Sequence, residues 1–166
     1  MALRELRVEG DPVLLQTAAS VSSFNDDLAI LVKDMFKTMY DAPGRGLAAP
    51  QVGVLKRIFV MDITWKDGPR TPMVCINPEV TVDGATDVTS DEGCLSIPGI
   101  MVPVRRPSAV TMAWTDLDGA RHSQWFDGFA GLCIQHETDH LNGIVTLDRV
   151  DPALRGDLIA EFEAAP

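Results

Sequence analysis

The stretch Cys133-Ile134-Gln135-His136-Glu137-Thr138-Asp139-His140 sets two imidazoles four residues apart, with a carboxylate directly after the first. On a helix, residues four apart lie one above the other, so both rings share a face. Two stacked imidazoles can grip one divalent ion, and the intervening Glu137 can reach water at that ion and carry its proton. The spacing therefore predicts a helix from Phe129 to about Leu141 that belongs to a metal-dependent hydrolase. The chain has 3 histidines in all. The third, His122, follows a turn within a strand-like run and reads as an ordinary surface histidine.

Outward from this helix, the rest of the chain reads as one domain over residues 1–166, a length that can bury its own core. From Ser23 to Tyr40 the apolar residues Leu28, Leu31, Val32, Met35, Phe36 and Met39 recur at helical spacing, with Asn25 as cap and Pro43-Gly44 as stop. The segment Gly44-Arg45-Gly46-Leu47-Ala48-Ala49-Pro50-Gln51-Val52-Gly53 reads as a loop, whose small residues let backbone approach another chain or a ligand. Strand-like runs follow at 57–62, 73–76 and 109–114. Leu117-Asp118-Gly119-Ala120 turns the last of these into 121–126. Pro152 to Phe162 reads as a short closing helix. The class is α+β: mostly antiparallel sheets packed around a central metal-binding helix, with an N-terminal helix and a short C-terminal one.

The formal net charge of -10 excludes nucleic acid as the main partner, because phosphate binding needs clustered Lys and Arg. No stretch reaches the roughly 20 apolar residues of a membrane span, and the N-terminal residues lack the apolar core of a secretory signal. The three cysteines, Cys75, Cys94 and Cys133, show no framework spacing, which suits a reducing compartment. A cytoplasmic protein is expected.

A catalytic divalent site commonly has three protein ligands and one open position. One metallopeptidase pattern puts a third histidine six residues past the second; Gly143 fits that pattern, but Thr146 stands at the ligand position. A second pattern takes a glutamate some twenty residues downstream, where Glu161 lies in an acidic tail. A third choice is Cys94 in Asp91-Glu92-Gly93-Cys94-Leu95-Ser96, either as a thiolate ligand or as buried apolar filler.

Three blocks together, Gly44-Arg45-Gly46-Leu47-Ala48-Ala49-Pro50-Gln51, Glu92-Gly93-Cys94-Leu95-Ser96 and Gln135-His136-Glu137-Thr138-Asp139-His140, resemble in order and spacing the signature motifs of peptide deformylases. The resemblance spans nearly the whole chain and raises Cys94 to the expected third ligand beside His136 and His140. It implies one divalent metal ion, Fe²⁺ first, with Zn²⁺, Ni²⁺ or Co²⁺ accepted. It also implies hydrolysis of the N-formyl group from N-formylmethionyl peptides. Glu137 would carry the proton, while the Gln51 amide and the Leu95 backbone N–H would hold the oxyanion. Gly46 and Gly93 would flank an extended substrate, with Arg45, Phe129, Leu132 and Cys133 around the methionine side chain. Asp139 is expected to orient a ligand or brace the helix, and Glu92 to pair with Arg106 and hold the Cys94 segment.

The chain departs from the family pattern at Arg45, where an apolar residue is common, which leaves an altered acyl or side-chain preference as the first rival reading. A non-catalytic metal- or peptide-binding relative is the second; Glu137 and Gln51 argue against it, since binding alone needs neither a base nor an oxyanion donor. The acidic ending Glu161-Phe162-Glu163-Ala164-Ala165-Pro166 lacks the longer basic tail with which some deformylases dock on the ribosome, so ribosome association is not supported.

Overall fold

A computed structural model describes residues 2–82 and 86–165. Helix α1 (Asp26–Asp41) begins where expected, with the Asn25 side chain accepting the Leu28 N–H at 3.0 Å. It buries Leu28, Leu31, Val32, Met35 and Met39.

Strands β1 (Gly46–Ala48), β2 (Ile58–Met61), β3 (Met73–Val82), β6 (Ala109–Thr115) and β7 (Arg121–Asp127) form a five-stranded antiparallel sheet in the order β1-β2-β3-β6-β7. All four residues of β2 are buried, because the sheet is covered on both faces there. Ile58 and Val60 pack toward α1, whereas Phe59 and Met61 pack toward α2 (Gly128–Leu141), as the two-residue period of a strand requires. Gly131 lets α2 approach the end of β7, since a Cβ there would lie 2.9 Å from the Phe126 carbonyl oxygen. The C-terminus of α2 is tied down by Arg57, which donates to the Leu141 carbonyl at 3.0 Å and to Asn142 at 2.9 Å.

A second, two-stranded sheet pairs β4 (Asp87–Cys94) with β5 (Ile97–Pro107), the two joined by the turn at Leu95-Ser96. Its apolar face, Ile97, Ile100, Val102 and Val104, packs on Leu147, Val150 and α3 (Pro152–Ala164). Among the described residues, α1, α3 and the antiparallel sheets around the buried α2 make this the expected α+β fold. The segment read as a loop from Gly44 to Gly53 contains instead the short strand β1 and a 3₁₀ turn at Ala49–Val52. Strand β3 runs past the expected end at Ile76, because Asn77 takes φ 49° and shifts the register between Ile76 and Glu79 without ending the strand. The Asn77 side chain holds that conformation by bonding Val21 N–H at 2.8 Å and Val21 C=O at 2.9 Å.

Candidate active site

Three pieces of the fold meet at one cleft: the unpaired edge of β1 with its 3₁₀ turn, the tip of the β4–β5 hairpin, and the buried face of α2. Among the described residues β1 is an edge strand, paired with β2 on one side only. The cleft has a volume of about 810 Å³, and its walls include Arg45, Gly46, Gln51, Gly93, Cys94, Leu95, Phe129, Leu132, Cys133, His136 and Glu137.

At its floor, one ligand atom each from Cys94, His136 and His140 lies within 4.8 Å of the others. Cys94 Sγ is 3.4 Å from His140 Nε2. The sequence leaves Cys94 and Glu161 as choices; Cys94 belongs to the group, whereas Glu161 lies on α3 outside it. His122 is exposed, 2.6 Å from the Asp116 carboxylate and stacked on Trp114, as befits a surface histidine.

The protonation pattern suits a cation. Burial alone would raise the Cys94 thiol, but the facing His140 and His136 hold it well below its ordinary value, in the thiolate form that binds metal. His136 Nδ1 lies 2.9 Å from Glu92 Oε1. A carboxylate can only accept, so Nδ1 donates to Glu92, which leaves Nε2 as the atom that would meet a metal. His140 Nδ1 and Glu137 Oε1 are buried without a protein partner. One thiolate and two imidazoles form the borderline-soft donor set that selects Fe²⁺ or Zn²⁺ over Mg²⁺ or Ca²⁺. The residues present therefore fit a divalent transition-metal ion.

Glu137 is 3% exposed, and burial pushes its pKa up against the opposing influence of His136 and His140. Its Oε2 closes against β1, where a Cβ on Gly46 would lie 2.5 Å from that oxygen and 3.0 Å from Cys133 Sγ. Only glycine leaves the carboxylate room at this position. The Gln51 amide is oriented by its own turn: Oε1 accepts the Ala48 N–H at 2.9 Å, so Nε2 must face the cleft. There Nε2 donates to Ser96 Oγ at 3.0 Å and lies 3.5 Å from Cys94 Sγ.

Behind the imidazoles sits a buried ionic network. Arg106 donates to Glu92 at 2.6 and 3.0 Å and to Asp139 at 2.9 Å, and Arg149 adds bonds to Asp139 at 2.8 and 3.0 Å. Burial would raise Glu92, but the bonds from His136 and Arg106 hold it down to about 2. The expected Glu92–Arg106 pair is present, and Asp139 braces α2 through the two arginines. Ser96 and Arg149 are site residues that the sequence motifs do not single out. Ser96 could have been suspected from its place beside Leu95; nothing local marks Arg149.

A helix-borne His-Glu-x-x-His with a thiolate from a hairpin tip and an amide donor at the same cleft defines a metal-dependent hydrolase. The family model described as polypeptide deformylase matches residues 3–155, and the chain belongs to that family. The peptide deformylase of Zymomonas mobilis is 44% identical over 166 residues, spanning 98% of this chain and 94% of that protein. That of Rhizobium meliloti is 40% identical, spanning 99% and 95%. Among solved structures, a peptide deformylase from Synechococcus elongatus in complex with actinonin superposes with TM-score 0.92 at 40% identity, spanning 98% of this chain and 89% of that one. One from Legionella pneumophila gives 0.91 at 37%, spanning 98% and 94%. The chain is thus an enzyme that removes N-formyl groups from peptides, which sets aside the reading as a non-catalytic binder.

Proposed function

We propose that the chain, acting as one domain in the cytoplasm, removes the formyl group from the initiator N-formylmethionine of newly made polypeptides and releases formate and a free amine. The observation that carries this reading is the meeting of the buried Glu137 carboxylate, the Gln51 amide and the Cys94/His136/His140 group at one open strand edge. A divalent ion on Cys94, His136 and His140, Fe²⁺ by preference, would polarise water and bring its pKa toward ~7.

The chain's own groups then divide the work. As water adds to the formyl carbon, Glu137 takes its proton on a carboxylate oxygen. It returns that proton to the amine nitrogen as the C–N bond breaks, so one carboxylate serves as base and then acid. Gln51 Nε2 and the Leu95 backbone N–H stabilise the oxyanion between those events. The peptide extends along the free edge of β1, between Gly46 and Gly93, as an added strand. Arg45, Phe129, Leu132 and Cys133 line the space for its first side chain. The net charge of -10 disfavours nucleic acid as a partner, and among the described residues no helix is long and apolar enough to cross a membrane.

The test is formate release from formyl-Met-Ala-Ser by anaerobically purified protein with its metal content measured. Stripping the metal with a chelator should abolish release, and Fe²⁺ should restore it. A metal-loaded protein that releases no formate would sink the reading. Gln51→Ala should lower turnover by ~10²–10³-fold at unchanged metal content, the usual cost of one oxyanion donor. Full activity in that variant would remove Gln51 from the mechanism.

A further inference from the structure

The mouth of the cleft carries positive charge in a protein of net charge -10. Arg45 and Lys66 both line it. The Arg45 backbone is anchored, its carbonyl accepting the Asp62 N–H at 2.9 Å, and its guanidinium lies over the Phe129 ring, 5.4 Å from the centroid. Its carboxylate partner is Asp67, 3.4 Å away and 82% exposed, a pair of the kind that salt and solvent weaken. The inner edge of the same guanidinium is less well served, because Arg45 Nε is buried with no hydrogen-bond partner. Lys66 lies over Trp65 at 5.7 Å, and Trp65 is itself fixed by its Nε1–H bond to the Gly44 carbonyl at 2.9 Å. Across the cleft stand Asp91 and Glu92, of which Glu92 is already engaged by Arg106 and His136.

Resting on the function proposed above, we propose that Arg45, aided by Lys66, selects formylated peptides with Asp or Glu in the two residues after formylmethionine. The register follows from β1. Gly46 faces Glu137, where the formyl group is cleaved, and Arg45 precedes it by one residue, ~3.3 Å along the strand and level with the methionine, so the next residues are met by its long side chain rather than its backbone. A substrate carboxylate there meets the outer guanidinium face, taking the place of the exposed Asp67 carboxylate. Such charge-assisted bonds at a half-open site favour an acidic over a neutral side chain by about 3- to 10-fold. A basic side chain meets like charge there and is disfavoured.

The experiment compares kcat/KM of the metal-loaded enzyme on formyl-Met-X-Ser and formyl-Met-Ala-X, with X as Glu, Gln or Lys. The expected order is Glu above Gln above Lys at one of the two positions, narrowing between about 0.05 M and about 1 M salt as screening grows. Arg45→Glu should invert the order, and Arg45→Gln, which keeps a polar side chain if the charge reversal misfolds, should flatten it; Lys66→Glu should shrink it. Equal kcat/KM for Glu, Gln and Lys peptides in the wild-type enzyme, or an unchanged order in the Arg45 variants, overturns the selectivity while leaving the deformylase reading intact. Absence of formate from every peptide overturns both.

Discussion

Replacing Glu137 with glutamine is expected to lower formate release by about 10²–10⁴-fold, the range spanned by loss of a positioned proton carrier. The amide has nearly the shape of the carboxylate, so the space beside Gly46 stays filled, but it can neither take the proton from water nor deliver one to the amine. Glu137 is not a member of the Cys94/His136/His140 group, so metal content should match that of the wild type. Thermal stability should hold or rise. The carboxylate is 3% exposed, burial raises its pKa, and Oε1 has no protein partner, so the charged form is held at an energetic disadvantage that a neutral amide relieves. The informative result is therefore a pair: activity down by two or more orders of magnitude, melting temperature level or higher. A Glu137→Gln enzyme within about tenfold of the wild type would assign the proton transfers elsewhere.

The parts of the molecule that could be read from the sequence are those whose chemistry is local. Helix α2 is legible because His136, Glu137 and His140 declare a helical face within one short run. Helix α1 declares itself through apolar spacing and the Asn25 cap. The hairpin that delivers Cys94 declares nothing comparable. Strand β4, Asp-Val-Thr-Ser-Asp-Glu-Gly-Cys, has Val88 as its one aliphatic residue and is largely exposed. Strand β5 carries Pro98, Pro103 and Pro107, which argue against an interior strand. A two-stranded sheet has only edge strands, so those prolines can face away from the ladder, and the hairpin is held by contacts with residues far away in sequence. For the same reason the motif residues alone left Cys94 open between ligand and filler; the family resemblance, and then the folded hairpin, placed it beside α2. Strand β1 is three residues long and takes its register from β2, so a glycine-rich segment there reads as a loop.

Arg106→Leu should be strongly destabilising, and the neighbouring arginine supplies the control. Arg105 and Arg106 are consecutive on β5, so they point to opposite faces. Arg105 is 74% exposed and meets Asp87 at 3.2 Å, whereas Arg106 is 5% exposed and joins Glu92 to Asp139. Removing the buried arginine strands the Glu92 carboxylate, which keeps only His136, and leaves Asp139 to the half-exposed Arg149. Breaking a buried pair from one side costs about 3–5 kcal/mol, while losing the exposed Arg105 pair costs about 0–1 kcal/mol. For a domain of this size the first corresponds to a melting temperature lower by roughly 6–20 °C, and the second to a few degrees at most. Acid sensitivity should move too. A carboxyl held at about 2 when folded, against an ordinary value of 4.5, contributes stability that is present above about 4.5 and lost as pH falls toward about 2. Without Arg106 the folded value rises toward the unfolded one, so that contribution shrinks and the variant gains less stability between about pH 2 and about pH 4.5 than the wild type does. Arg106→Lys separates charge from geometry: an ammonium restores a cation but not the two-pronged bond to Glu92, so its melting temperature should fall between wild type and Arg106→Leu. Equal melting temperatures for Arg105→Leu and Arg106→Leu would show that the network behind His136 contributes no more than a surface ion pair.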